Sequence, residues 1–326
     1  MIALVTHAVN IETPSLVHYN VRVSKASLLV ALACAPLLMG GACEKKSAKA
    51  GDTGAIAALD HASGAPVDPG PVDTTPLPGI DASKLDKDKS DTFYKLVGSL
   101  SSPCGKAHSL RTSFTSDTAC KRAPFAVRYI LALLGDQATE QQVREEYDRK
   151  YKPSDAVKLD VSRAPHEGAD DAPIRIVEFF DYGCPHCKAL LPQMQQVLAD
   201  EPGKVAEYFL MFPLEKHPDS KSAAQAAIAA AQQGKFREMH MMLFDKSPLQ
   251  DHEHVTEYAK SLGLDMGKFE GAYAEAAGQV AADLKQGETL GVDSTPTIYF
   301  NDHKYEGPPY AKYFEMWIDE ELAVNR

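Results

Sequence analysis

The sequence predicts an α/β domain that follows a smaller helical extension, and three observations lead to this prediction. Apolar runs typical of strands alternate with helical patterns from about residue 157 to the C-terminus. Within residues 91–152, apolar side chains recur at the four-residue spacing of helices, as at Phe125, Tyr129 and Leu133. One predicted strand also runs directly into two cysteines, Cys184 and Cys187, which lie at the start of a predicted helix.

The first 43 residues have the pattern of an export signal. Arg22 and Lys25 precede an uncharged segment, residues 26–42, which is too short and too interrupted by Pro36 to favour a membrane span. Small residues lead up to Cys43 and charged residues follow it, which resembles the lipobox of bacterial lipoproteins. The resemblance implies that Cys43 carries a lipid anchor. A cleaved signal without lipid is the alternative.

Residues 44–90 predict a disordered linker, because Pro, Gly, Ala and Asp dominate and aromatic residues are absent. Residues 91–152 predict the helical extension, where Gly135 ends one helix and a capping box of Thr139 and Gln142 begins the next. Cys104 and Cys120 flank the beginning of this unit. We favour a structural disulfide between them, and the alternative is a second redox pair that exchanges electrons with Cys184.

The domain at residues 153–326 is predicted to begin with a strand and to contain five strands in all. The predicted strands are 157–161, 174–180, 205–212, 297–301 and 303–306. A helix follows Cys184, four helices are predicted at 222–233, 236–245, 254–262 and 268–284, and a closing helix begins at Tyr310. This order is that of a thioredoxin fold with an inserted helical domain at about 218–288.

Composition excludes some classes of partner. The formal net charge of −11 argues against nucleic acid and against an electrostatic hold on anionic lipid. Apart from Cys34 and Cys43, the chain has four cysteines at two distinct spacings, which is compatible with an oxidising compartment.

The pair Cys184 and Cys187 indicates redox chemistry. A separation of two residues places both sulfurs on the first turn of a helix, where backbone N–H groups stabilise a thiolate. Pro185 suits the start of this helix because it has no N–H group to leave unpaired. Cys184 is expected to be the better exposed thiol and the nucleophile, Cys187 to resolve the mixed disulfide, and His186 to add a donor or a positive charge. Half of a zinc site and an inert buried pair are the alternatives.

No metal or organic cofactor is expected. Cys104 and Cys120 would have to complete a zinc site with the CxxC pair, and their spacing fits no usual zinc site. The run Met239–Met242 suggests copper, but these residues spread over several faces of a helix and core packing explains them better.

Two acidic residues precede the cysteines. Glu178 shares a strand face with Ile174, Ile176 and Phe180, an apolar setting that raises the pKa of a carboxyl group. A glutamate at a strand edge that pairs with a surface cation is the alternative for Glu178. Asp181 either tunes the same site or caps the turn before Cys184.

Residues 157–322 resemble the DsbA-type thiol:disulfide oxidoreductases of the thioredoxin superfamily. The resemblance lies in the segments 168–173 and 176–181, the Cys-Pro-His-Cys motif and the segment 291–297. It implies that a cis peptide bond precedes Pro296, that Pro296 faces the cysteines, and that Glu178 exchanges a proton with the buried thiol. Thr295, just before this proline, is expected to expose backbone that binds an extended substrate segment as an added strand.

The sequence thus predicts a periplasmic, lipid-anchored oxidoreductase of the bacterial envelope. Its expected substrates are exported proteins with free or mispaired cysteines, and a membrane redox partner is expected to reset it. Oxidase activity is favoured, although Thr295 differs from the Val of the best-known oxidase, which weakens that assignment. The alternatives are a disulfide reductase or isomerase, such as one for cytochrome c maturation, and a chaperone-like binding lipoprotein without enzymatic activity.

Overall fold

The computed structural model describes residues 71–152 and 154–324. The predicted signal segment, the lipidation site Cys43 and residues 44–70 of the predicted linker lie outside these residues. Within the described part of the chain, no helix is long and apolar enough to cross a membrane.

The helical extension begins earlier in the chain than the sequence predicts. Leu77 and Ala82 are buried in its core, and a short 3-10 helix, Ala82–Lys84, precedes the first α-helix at Lys87. The C-terminal end of the predicted linker therefore packs on the extension, where Ile80 and Leu85 also contact the core and Asp73 pairs with Arg111. The helices of the extension are α1 (Lys87–Ser99), α2 (Leu110–Thr115), α3 (Ala123–Gly135) and α4 (Glu140–Tyr151).

Local sequence signals explain how these helices begin and end. The Thr139 side chain accepts from the Gln142 backbone, and the Gln142 side chain accepts from the Thr139 backbone, so the predicted capping box begins α4. Helix α3 ends at Gly135, but the left-handed residue after it is Gln137, with φ 69°. Cys104 and Cys120 form a disulfide that joins the segments before and after α2.

A five-stranded mixed sheet forms the centre of the larger domain. Its strands are β1 (His166–Gly168), β2 (Ile174–Phe180), β3 (Val205–Met211), β4 (Thr297–Phe300) and β5 (His303–Tyr305), in the order β1-β3-β2-β4-β5. Strands β2 and β3 run parallel and the other pairs antiparallel. Because β2 is central, residues at its carboxyl end lie in the middle of the fold.

The prediction of a strand at 157–161 is wrong, since the first strand lies at His166–Gly168. Leu159 is buried as its apolar character suggests, but this segment pairs with no strand. The backbone N–H of Val157 bonds to the carbonyl of Asp302, and that of Asp160 bonds to the Gln286 side chain. The segment therefore covers one face of the sheet as an extended loop.

Six helices complete the domain in the predicted order. They are α5 (Pro185–Asp200), α6 (Ser220–Ala231), α7 (Phe236–Lys246), α8 (His252–Ser261), α9 (Met266–Thr289) and α10 (Ala311–Val324). Side chains of α5 and α10 pack on one face of the sheet together with Ile174, Ile176 and Phe300. The inserted helices α6 and α7 share a core with the cysteines at the start of α5.

The extension packs on α10 through a buried ion cluster. Glu320 is fully buried and pairs with Arg122 at 2.9 Å and with Lys150 at 3.0 Å. The Lys150 ammonium also lies 3.8 Å from the centre of the Trp317 ring, a cation–π contact. Charged groups of both parts thus meet in this interface, and the domain boundary at residues 152 and 153 stays a prediction.

Candidate active site

The two cysteines lie where the central strand passes into α5. Strand β2 ends at Phe180, Cys184 is the N-cap of α5, and Pro185 occupies its first turn. The turn passes very close to the loop before α6. A Cβ atom on Gly183 would lie 2.7 Å from Ser220 Oγ and 2.8 Å from His217 Cβ, so a larger residue would clash there.

Asp181 holds this turn in place. Its carboxylate is fully buried and accepts from the backbone N–H of Gly183 at 2.7 Å and of Leu214 at 2.9 Å. His217 Nδ1, at 2.7 Å, and the Ser220 hydroxyl contact the same carboxylate. Of the two roles considered for Asp181, the structure gives it the cap of the turn, and that cap ties the active-site loop to the helical insertion.

Both thiols are buried and free, with exposed fractions of 3% for Cys184 and 2% for Cys187. This order agrees with the expectation that Cys184 is the better exposed thiol, although both fractions are small. The two sulfurs differ more clearly in their hydrogen bonds and in how strongly burial acts on their pKa values.

Hydrogen bonds lower the pKa of Cys184 to about 5. The largest contribution is the hydrogen bond from Cys187, followed by Thr295 and by the backbone N–H groups of Cys187 and His186. Conversely, burial raises the pKa of Cys187 far above its usual range, and the charge of Glu178 adds to this effect. One sulfur therefore ionises readily and the other holds its proton.

His186 contributes through its backbone, since its side chain is exposed at the protein surface. A role for the imidazole in the chemistry stays a prediction.

The peptide bond between Thr295 and Pro296 is cis, as the resemblance implied, and that Pro296 faces the cysteines stays a prediction. The Cys184 thiol donates to the Thr295 carbonyl over 3.3 Å between Sγ and O. The Thr295 hydroxyl is buried and has no hydrogen-bond partner among the described residues, so it is available to donate to the thiolate. The Thr295 side chain lowers the pKa of Cys184, as such a donor would.

Glu178 lies on the central strand with an exposed fraction of 6%, and burial raises the pKa of its carboxyl group. Its side chain hydrogen-bonds to Glu207 of β3, which is also buried. Burial and the charge of Glu178 raise the pKa of Glu207. Glu207 was not among the site residues predicted from the sequence. The available signal was a carboxyl group in the middle of the apolar run 205–211. Such a group is expected to be buried, and a buried carboxyl group must be neutralised or hydrogen-bonded.

The histidine in the segment Met239–Met242 has a structural explanation. His240 is buried among aromatic rings, and its Nδ1 lies 3.0 Å from the Tyr182 hydroxyl. Burial lowers its pKa to about 3, so this imidazole stays neutral.

Comparisons with known proteins place residues 161–320 in a family whose model is described as thioredoxin. The protein Na(+)/H(+) antiporter NhaA 3 of Salinispora tropica is 34% identical to this chain over 155 residues. The match covers 47% of this chain and 24% of that protein. The chain therefore spans about a quarter of the length of such relatives. Disulfide bond formation protein D of Bacillus subtilis is 32% identical over 184 residues, 48% of this chain and 77% of that protein.

Solved structures with similar folds include a thioredoxin-like oxidoreductase from Silicibacter pomeroyi, with 26% identity and a TM-score of 0.46 over 50% of this chain and 94% of that one. Oxidised BdbD from Bacillus subtilis has 27% identity and a TM-score of 0.45 over 52% of this chain and 99% of that one.

The family follows from the sequence relationship and from the matched segment. Three quarters of the Bacillus disulfide bond formation protein aligns with this chain at 32% identity. The thioredoxin model covers the sheet, the helix that begins at Cys184 and the loop of Pro296. The chain therefore belongs to the DsbA-like thiol:disulfide oxidoreductases of the thioredoxin superfamily.

Proposed function

We propose that this chain donates the disulfide between Cys184 and Cys187 to exported proteins in the bacterial envelope. The observation that carries the proposal is the opposite shift of the two thiol pKa values, with Cys184 lowered to about 5 and Cys187 raised. A dithiol with one strongly stabilised thiolate favours its reduced form, so its disulfide is a good oxidant.

The proposed reaction is a two-step thiol–disulfide exchange. A substrate thiolate attacks Cys184 Sγ, the bond between Cys184 and Cys187 breaks, and Cys187 leaves and takes up a proton from Glu178. A second substrate thiolate then attacks the substrate sulfur of the mixed disulfide and releases Cys184 as a thiolate. The substrate loses two electrons as its disulfide forms, and the cysteine pair gains them.

The size of the thiolate effect supports donation. Near pH 7, lowering the pKa of a thiol from about 8.5 to about 5 stabilises the reduced form by about 2.7 kcal/mol, or roughly 60 mV. Water reaches the N-terminus of α5 beside the exposed His186, and screening by this water reduces the figure to roughly 30–60 mV. The Thr295 hydroxyl contributes to this stabilisation, so a threonine at this position supports an oxidase as well.

The proposed substrate site is the backbone of Thr295. This residue lies beside Cys184 Sγ, and an extended segment of an unfolded exported protein would pair with it as an added strand. We further propose a membrane redox partner that reoxidises the cysteine pair. A lipid anchor at Cys43, which lies outside the described residues, would hold the domain at the periplasmic membrane surface.

Two measurements test the proposal on the full chain. The potential of the Cys184–Cys187 pair against glutathione is expected at about −120 to −200 mV, and a value near the −270 mV of thioredoxin would refute disulfide donation. Cys187→Ala is expected to accumulate mixed disulfides with exported proteins. The matched control is Cys184→Ala with Cys187→Ala, which has no nucleophile. If Cys187→Ala traps nothing more than this control, the chain is a binding protein instead.

A further inference from the structure

Three glutamates lie in a row across the sheet from the surface to the active site. Glu167 of β1 lies directly opposite Glu207 of β3, and Glu178 of β2 lies next to Glu207 on the same face. Directly opposed side chains in a sheet are close neighbours. Glu178 and Glu207 are hydrogen-bonded to each other, and Glu178 is near enough to the Cys187 thiol to act on its ionisation.

The inner two carboxyl groups are buried without a cation. Within residues 71–152 and 154–324, neither Glu178 nor Glu207 forms an ion pair, and Glu207 Oε1 has no hydrogen-bond partner. Two ionised carboxylates in contact in such a place would be strongly unfavourable, so the pair holds at least one proton. Burial raises the pKa of both groups, which agrees with a retained proton.

Other titratable groups around the pair leave this conclusion unchanged. Cys184 and Cys187 face it from the start of α5, and a thiolate there favours the protonated carboxyl. Tyr182 faces it from the loop after β2, with a raised pKa, and binds the neutral His240 of α7. At the outer end, half-buried Glu167 pairs with the exposed Arg237 of α7, so the row ends at solvent.

We propose that Glu207 is a positioning residue for proton transfer, which shares one proton with Glu178 and supplies it when Glu178 protonates Cys187. Glu167 then passes the replacement proton from solvent beside Arg237. This inference rests on the proposed disulfide donation, because that reaction requires Cys187 to take up a proton as the disulfide opens.

The proton balance of the step is complete. When the bond between the two cysteine sulfurs breaks, the Cys187 thiolate takes the proton of Glu178, directly or through one water molecule. The pair has then given up its shared proton, and both of its carboxyl groups are briefly ionised. A proton from solvent neutralises Glu207 through Glu167, and the pair returns to its starting state.

Glu207→Gln tests the shared proton, because it keeps the shape and a donor but cannot exchange a proton. The readout is the pH dependence of mixed-disulfide formation with a synthetic dithiol peptide, measured by acid quenching. In the wild type, the rate falls when the pair loses its last proton. In Glu207→Gln, this fall is expected at a pH about one unit lower or more, because the second proton holder is gone. The surface control Glu288→Gln is expected to keep the wild-type profile.

Infrared difference spectra give a readout besides activity. The oxidised wild type is expected to show the C=O stretch of a protonated carboxyl group near neutral pH, and Glu207→Gln is expected to weaken or shift it. Identical pH profiles in Glu207→Gln and wild type would overturn the proposal, as would a wild-type spectrum without this band. A wild type that transfers no disulfide would instead refute the proposed function, and the infrared test would still decide the shared proton.

Glu167→Gln is a second variant that keeps the proposal testable if Glu207→Gln does not fold. Its side chain lies near the surface, so folding is expected to be little affected. Repeated turnover is expected to slow several-fold relative to the first exchange, since the replacement proton arrives late. An unchanged ratio of these two rates would overturn the role of Glu167.

Discussion

Thr295→Val isolates one hydrogen bond to the reactive sulfur. The Thr295 hydroxyl is buried, has no hydrogen-bond partner among the described residues, and belongs to a side chain that lowers the pKa of Cys184. Valine has nearly the same shape and keeps the backbone carbonyl that accepts from the thiol. The substitution therefore removes a donor to the thiolate while it leaves the contact to the protonated sulfur in place, so we expect the pKa of Cys184 to rise.

The expected size follows from the energy of a hydrogen bond to a charged group, about 1.5–3 kcal/mol. This energy corresponds to a rise of about one to two units in the pKa of Cys184 from its value of about 5. Near pH 7 the potential of the cysteine pair should become less oxidising by about 30–50 mV. The difference should shrink as the pH falls toward 5, because the thiol is then protonated in both proteins.

The assay combines equilibration in glutathione buffers with a titration of the thiolate by its ultraviolet absorbance. Thr297→Val is the matched control, since the hydroxyl of Thr297 donates to the Ser294 carbonyl instead of a sulfur. If Thr295→Val leaves both the pKa of Cys184 and the potential where they are in the control, the hydroxyl does not bind the thiolate and our reasoning is refuted.

Three further predictions concern stability. Replacing Cys104 and Cys120 with alanine should lower the free energy of unfolding, measured by denaturation, by about 3 kcal/mol. The potential of the active-site pair should stay unchanged, and a changed potential would indicate electron exchange between the two pairs. Glu320→Gln should cost about 3 kcal/mol, because it leaves the buried Lys150 without its carboxylate, while Arg122 keeps its pair with Glu321; hydrogen exchange in α4 should speed up. Asp181→Asn should cost about 2 kcal/mol or more and expose the Gly183 amide to exchange, whereas an unchanged protection would contradict its role as the cap.

Strong local signals in the sequence predicted most of the fold. The capping box at Thr139 and the proline after Cys184 located two helix starts, and the four inserted helices follow their apolar spacing. The segment 157–161 failed because apolar residues in an extended segment bury themselves equally well with or without a strand partner. Its backbone bonds to Asp302 and to the Gln286 side chain, both more than a hundred residues away, and local periodicity contains no information on such contacts.

The site was predictable as far as its residues are close together in the sequence. Cys184, Cys187 and the segment around Pro296 stand out by themselves, but the bracing of Asp181 by His217 and Ser220 depends on the path of the chain after β3. The role of Glu207 was not predictable either, because it depends on the parallel register of β2 and β3, which places Glu207 beside Glu178. A lone carboxyl in a strand predicts that something must neutralise it, and only the sheet order identifies another carboxyl as the partner.

The difference between the two thiols is the property on which disulfide donation depends, and burial alone does not explain it. Burial raises the pKa of both thiols, and for Cys187 it is the largest influence. The pKa of Cys184 is nevertheless lowered, because the Cys187 thiol and two backbone N–H groups donate to it at the start of α5 and the Thr295 side chain acts in the same direction. Cys187 lies one turn further on and faces the charge of Glu178. The same carboxyl that keeps Cys187 protonated is thus the group we expect to return its proton, and this requires the second carboxyl of Glu207 to hold that proton in reserve.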